Sequence, residues 1–188
     1  TINGVAIDQV ITDNFEGAYK ITAHLIRCGH SKIAIVINTL LSSARERLAG
    51  YKKALQDAQI DINPDLIFSS DEHFSDENCQ DIARMILSQK KTYSAIFAEH
   101  DKMAFTLCTL ARQAGIRIPE DLSVVGYDDD PIIGHHAVQL TTVHQPLYEM
   151  GEQCITLLLK RITGDSSAKQ TVLLHSCLVE RESVRRHH

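Results

Sequence analysis

The chain has 188 residues, 44% hydrophobic and 23% charged, a balance that builds one generous globular domain or parts of two and excludes a disordered segment. Its formal net charge of −5 leaves this stretch without an electrostatic footprint for nucleic acid. No apolar run reaches membrane-spanning length, and no signal peptide opens the chain, so the expected setting is cytoplasmic unless a leader has been removed.

The first expected strand covers residues 5–12 and hands over to a helix at Asp13, with Glu16 at capping-box distance. Gly29 stops that helix, and residues 32–37 (KIAIVI) make a second strand, buried on both faces. Ser43 and Glu46 form a Ser-x-x-Glu capping box for the next helix, whose inward stripe is Leu48, Tyr51, Leu55 and Ala58. A short strand at 66–69 precedes a helix opened by Ser75. A strand at 93–98 precedes a helix capped by Asp101 and ended by Gly115. The repeated strand–helix order calls for an α/β fold, a doubly wound parallel sheet with helices on both faces.

The central stretch is EDLSVVGYDD, residues 120–129. Leu122 to Val125 is too short for a helix and suits a buried strand; Gly126 ends it, and Asp128 follows beyond its carboxyl end. After Asp130 the rhythm changes: an irregular stretch contains the pair His135-His136, and a short strand covers 140–143. A strongly apolar helix at 148–163 places Met150, Cys154, Leu157, Leu158 and Ile162 inward, and an extended segment covers 171–179.

The cysteines, Cys28, Cys79, Cys108, Cys154 and Cys177, are odd in number and lack a CxxC pair. Cys79, Cys108 and Cys154 fall on apolar stripes, which reads as small buried hydrophobes in a reducing compartment, with no zinc expected.

In an open parallel sheet, ligands sit beyond the carboxyl ends of the strands. The strand-to-helix turns bring to that rim Asp13 and Asn14, Arg45 and Arg47, His73 and Phe74, Glu99, His100 and Asp101, and Asp128. Carboxylates, a guanidinium fork and an aromatic face suit a small polyhydroxylated ligand or a nucleobase. Asp13 and Asp101 also read as helix caps, Arg47 as a solvated helix residue and Phe74 as core. Asp128 resists such readings, because a carboxylate at the end of a buried strand needs partners. No GxSxG, GxxxxGK[ST], GxGxxG or HExxH motif is present, so no enzyme and no cofactor is expected.

Six stretches resemble, in order, the effector-binding domain of LacI/GalR-family bacterial transcription regulators: TDNFEGAY (12–19), HLIRCGHSKIA (24–34), RLAGYKKAL (47–55), IPEDLSVVGYDD (118–129), LTTVHQP (140–146) and LVERES (178–183). The resemblance implies a two-lobed periplasmic-binding-protein-like fold of type I, of which this chain is mainly the C-terminal lobe. Residues 1–12 would be the last strand of the N-terminal lobe and 13–147 the C-terminal lobe. Residues 148–172 would pack on the N-terminal lobe, with 173–188 as closing strand and tail. It implies a sugar, nucleoside or purine effector held between the lobes, a homodimer, and operator DNA bound through a helix-turn-helix head outside this chain. Arg47 would clamp the ligand, Asp128 bind its hydroxyl or amine, and Phe74 stack on it. Asp13 would lie at the hinge-side rim, and Gln145 on the returning crossover. His100-Asp101 stands where relatives commonly have Asn-Asp. Without the other lobe, the 148–163 helix is expected to bury its stripe against another chain or swing onto its own lobe. The rival expectation is a secreted sugar-binding protein of a transport system.

Overall fold

The computed structural model describes residues 7–70, 75–89, 92–131 and 138–187. Four strands, β2 (Ile33–Asn38), β3 (Ile67–Ser70), β4 (Ala95–Ala98) and β5 (Ser123–Val125), form a parallel sheet in the order β3-β2-β4-β5. That order reverses direction between β2 and β4, which places a topological switch point, and therefore a crevice, at their carboxyl ends.

β2 and β4 are buried along their whole length, as their unbroken apolar runs require. Alternate side chains then serve two cores. Ile33, Ile35 and Ile37 of β2 meet Ile21 and Leu25 of helix α1 (Asn14–Arg27) and Tyr51 and Leu55 of α2 (Ser42–Asp57). Ala34 and Val36 meet Cys79 and Ile86 of α3 (Asp76–Ser88) and Met103 and Leu107 of α4 (Asp101–Gln113). The doubly wound parallel arrangement expected from the sequence is thus the observed one.

α1 and α2 approach closely because Gly50 has no side chain: a Cβ there would lie 2.2 Å from the Phe15 carbonyl oxygen. β1 (Gln9–Thr12) pairs in parallel with β7 (Thr171–Leu174) as a small separate sheet. β6 (Thr142–His144) pairs antiparallel with β8 (Cys177–Val179). Single parallel bridges, Val125 to Thr141 and Asp128 to His144, tie this pair to the end of β5.

Helix starts divide into those readable locally and those not. Asp13 caps α1, accepting from the Glu16 amide at 2.7 Å, and Ser75 caps α3. The Ser43–Glu46 box does not form: α2 already begins at Ser42, and Leu41 at the cap position supplies no side-chain acceptor. The loop there is folded instead by Asn38, whose Oδ1 accepts from the Leu40 amide at 3.0 Å. α4 is capped by His100 rather than Asp101, through Nδ1 accepting from the Met103 amide at 3.0 Å.

α5 (Leu147–Ile162) differs most from expectation. Leu157 is buried and Met150 half-buried, but Cys154 is exposed, Leu158 is 59% exposed and Ile162 70%. α5 packs on the body chiefly through β1, and a single strand is too narrow to cover its apolar stripe. The helix does not fold back onto the four-stranded sheet. Cys79 and Cys108 are buried as expected. His135-His136 lies outside the described residues.

Candidate functional site

Arg47 projects from the second turn of α2 into the switch-point crevice and is 8% exposed. Its Nε donates to Asn14 Oδ1 at 3.0 Å, and Nη1 donates to the Glu99 carbonyl just past β4. Nη2 stands 3.6 Å from Asp128 Oδ1, and the guanidinium carbon lies 3.6 Å from the centroid of the Tyr127 ring. The planar fork therefore joins the ends of β1, β4 and β5, and the aromatic face below it stabilises the cation.

Asp128 is held on both sides by β6: its amide donates to the Val143 carbonyl at 2.9 Å, and its carbonyl accepts from the Gln145 amide at 3.4 Å. Its φ of 113° is a conformation that non-glycine residues rarely take, and such strain concentrates at functional sites. The Gln145 side-chain amide donates to Asp128 Oδ1 at 2.7 Å, while its own Oε1 accepts from the Thr12 hydroxyl at 2.8 Å. Burial raises the Asp128 pKa above the usual carboxylate range, and Arg47 and Gln145 pull it back.

Glu99 is 3% exposed and accepts the Asn38 amide through Oε2 at 2.8 Å. Burial pushes its pKa up to about 7 against that hydrogen bond and the Arg47 charge. His100 is pushed down to about 4, first by burial and then by Arg47 and Lys102. Its ring is therefore neutral at pH 7, as its acceptor role at the α4 cap also requires.

The structure brings Arg47 and Gln145 onto Asp128 and sets Asp13 just past β1 and His100 just past β4. It places Asp101 differently. That side chain is 3% exposed, with Oδ1 accepting from the Thr142 hydroxyl at 2.6 Å and Oδ2 from the Asp130 amide at 2.8 Å. Burial pushes it up to about 6. Asp101 thus fixes the loop carrying Asp128, and both its oxygens face protein. Arg45 is exposed and donates to the carbonyls of Thr39, at 2.8 Å, and Leu40, at 3.1 Å, closing the β2–α2 loop. Phe74 lies outside the described residues.

Asn14 stands at the rim as the sequence implies, bonded to Arg47, whereas Thr12, Asn38 and Tyr127 are additional to the rim residues expected. Tyr127 immediately precedes Asp128. Thr12 and Asn38 end their strands and were detectable by the same strand-end rule.

The sequence profile described as "Periplasmic binding protein-like domain" matches residues 22–184. The chain belongs to that family. Among its relatives is the HTH-type transcriptional repressor PurR of Haemophilus influenzae, 38% identical over 164 residues, which are 87% of this chain and 48% of PurR. PurR of Vibrio atlanticus is 36% identical over 95% of this chain and 53% of its own length. The chain therefore spans about half the length of these curated relatives. A LacI family regulator from Enterococcus faecium with bound ribose superposes with a TM-score of 0.86 at 31% identity, covering 96% of this chain and 66% of that one. The regulator CelR in complex with cellobiose gives 0.87 at 33% identity, over 96% and 56%. The matched region is the effector-binding region of LacI-type regulators. Among the described residues no helix is long and apolar enough to cross a membrane.

Proposed function

We propose that this chain is the effector-sensing part of a cytoplasmic, DNA-binding transcriptional regulator, acting as a repressor. It binds a small sugar or nucleoside-like molecule between two lobes and changes operator affinity in a homodimer. Residues 13–147 serve as one lobe; 1–12 and 148–172 belong structurally with the other. The role is binding, with no chemical step.

The observation that carries this reading is the chain of contacts from Arg47 through Asp128 and Gln145 to Thr12. A ligand hydroxyl or amine donating to Asp128 competes with the Gln145 amide for the same oxygen. Gln145 is joined at its other end to the last residue of β1. Occupancy is thereby felt where the two small sheets leave the lobe, which is what a closing hinge needs. The ligand shifts the population only by its differential affinity for the two states.

The test uses the intact regulator with its DNA-binding region. Operator affinity is followed while ribose, cellobiose and purine nucleosides or bases are titrated in. A ligand that changes operator affinity in the wild type, and loses that effect in Asp128→Ala, supports the reading. If no ligand of either class changes operator affinity, the reading fails.

A further inference from the structure

Glu99 immediately follows β4, and its carboxylate reaches across to the end of β2, where Oε2 accepts from the Asn38 amide at 2.8 Å. The strand order reverses between β2 and β4, so this carboxylate stands at the switch point itself. The residue is only 3% exposed. Among the described residues the Asn38 amide is the carboxylate's one hydrogen-bond donor, which leaves the acceptor capacity of Oε1 unused. Asp128, on another side of the Arg47 guanidinium, is in the same position. Gln145 and Arg47 both approach its Oδ1, and among the described residues no donor reaches Oδ2.

The donors of the crevice are already engaged. Arg47 directs Nε to Asn14, Nη1 to the Glu99 carbonyl and Nη2 toward Asp128, with its face on the Tyr127 ring. The Gln145 amide is given to Asp128. The neighbouring charges point elsewhere: Asp101 to Thr142 and the Asp130 amide, Asp129 to Arg181 and His144, Arg45 to the outer loop. Lys102 is exposed on α4. One buried guanidinium therefore stands between two carboxylates that each retain an unmet oxygen.

We propose that Glu99 is a second acceptor for the effector, paired with Asp128 across Arg47, and that the two carboxylates select an effector bearing an ammonium group. The inference rests on the crevice being the effector site and adds the charge class of what enters it. Two carboxylates against one cation leave an uncompensated negative charge, which is costly in nearly dry surroundings. Burial, and behind it Asp128, disfavours the ionised form of Glu99 against the pull of the Asn38 amide and Arg47. An ammonium group supplies both the missing positive charge and the N–H donors that Glu99 Oε1 and Asp128 Oδ2 lack. A hydroxyl supplies a donor without the charge, and an anionic group supplies the wrong charge.

The test is calorimetric titration of the intact regulator at neutral pH with two matched series: glucose, glucosamine and glucuronate, then galactose, galactosamine and galacturonate. In at least one series the amino sugar is expected to bind at least about tenfold more tightly than its parent, as one charge-assisted hydrogen bond provides, with the uronate weakest. Glu99→Gln keeps the side-chain shape and an oxygen for the Asn38 amide, and is expected to bring amino sugar and parent to within about threefold. Circular dichroism checks that this variant folds; if it does not, the wild-type ranking alone decides. Equal binding of parent and amino sugar, failure of both series to bind, or an amine preference undiminished in Glu99→Gln overturns the assignment. If ribose or cellobiose shifts operator affinity while no amino sugar outranks its parent, the charge class is wrong and the regulator reading stands.

Discussion

Arg47→Ala is the perturbation that most directly probes the architecture of the crevice. Two hydrogen bonds from a charged donor, to Asn14 and to the Glu99 carbonyl, contribute about 1.5 kcal/mol each at the lower end of their range. The guanidinium over the buried Tyr127 ring adds about 1 kcal/mol. The Asp128 contact is long at 3.6 Å, and that carboxylate side chain is 33% exposed, so solvent screening limits it to about 0.5–1 kcal/mol. Against these stands the desolvation of the cation, which offsets part of the sum.

The expected net cost of Arg47→Ala is about 3 kcal/mol, or about 6–12 °C in Tm for a domain of this size. Urea denaturation of the wild type, Arg47→Ala, Asp128→Asn and the double variant closes a cycle whose coupling is expected near 1 kcal/mol. Arg47→Lys keeps the charge but not the planar fork and should recover less than half of the loss. A cost below about 1 kcal/mol together with zero coupling would show that Arg47 does not hold the strand ends together.

Glu99 titrates near 7 in the fold against an ordinary 4.5, so the folded state binds more protons than the unfolded one between those values. The Glu99 contribution to stability should fall as pH rises from about 4.5 to about 7 and then level off, while His100, held down to about 4, contributes the opposite trend up to its ordinary 6.5. Glu99→Gln should flatten that slope and gain relative to the wild type at pH 8, measured by urea midpoints at pH 5 and 8. Gly50→Ala drives a Cβ against the Phe15 carbonyl at 2.2 Å and should cost about 3 kcal/mol, seen as a lowered Tm. Asp13→Ala removes the α1 cap acceptor and should cost about 1 kcal/mol, with the far-UV spectrum unchanged. Gly126→Ala meets Asp101 Oδ1 at 2.1 Å; beyond lost stability, it should weaken effector binding by shifting the Asp128 loop, readable by calorimetric titration against the wild type.

The centre of the sheet was legible because β2 and β4 are buried on both faces, so their apolar runs are continuous. Asp128 was legible for the same reason: a carboxylate just past such a run has few bland explanations. Asp101 was misread because its partner is Thr142, and nothing local reveals a hydroxyl so far along the chain. Once that contact draws the carboxylate inward, the cap falls to the preceding His100. Arg45 and Arg47 are both arginines of one helix start; only packing distinguishes them. Arg47 faces the crevice, whereas Arg45, two positions earlier, points to the outer loop.

α5 shows where periodicity stops being informative. A 3.6-residue repeat tells which side of a helix is apolar, not what covers that side. Leu157 is inside because β1 lies beneath it, whereas Ile155, Leu158, Leu159 and Ile162 are all more than half exposed. Their exposure contrasts with the clamp at the helix's end, where Arg161 donates to both Asp8 oxygens at 2.7 and 2.8 Å. A helix so firmly anchored at one end and so bare along its flank presents its apolar side as a fixed surface. The strand on which α5 rests, β1, ends at Thr12, the residue that donates to Gln145 beside Asp128.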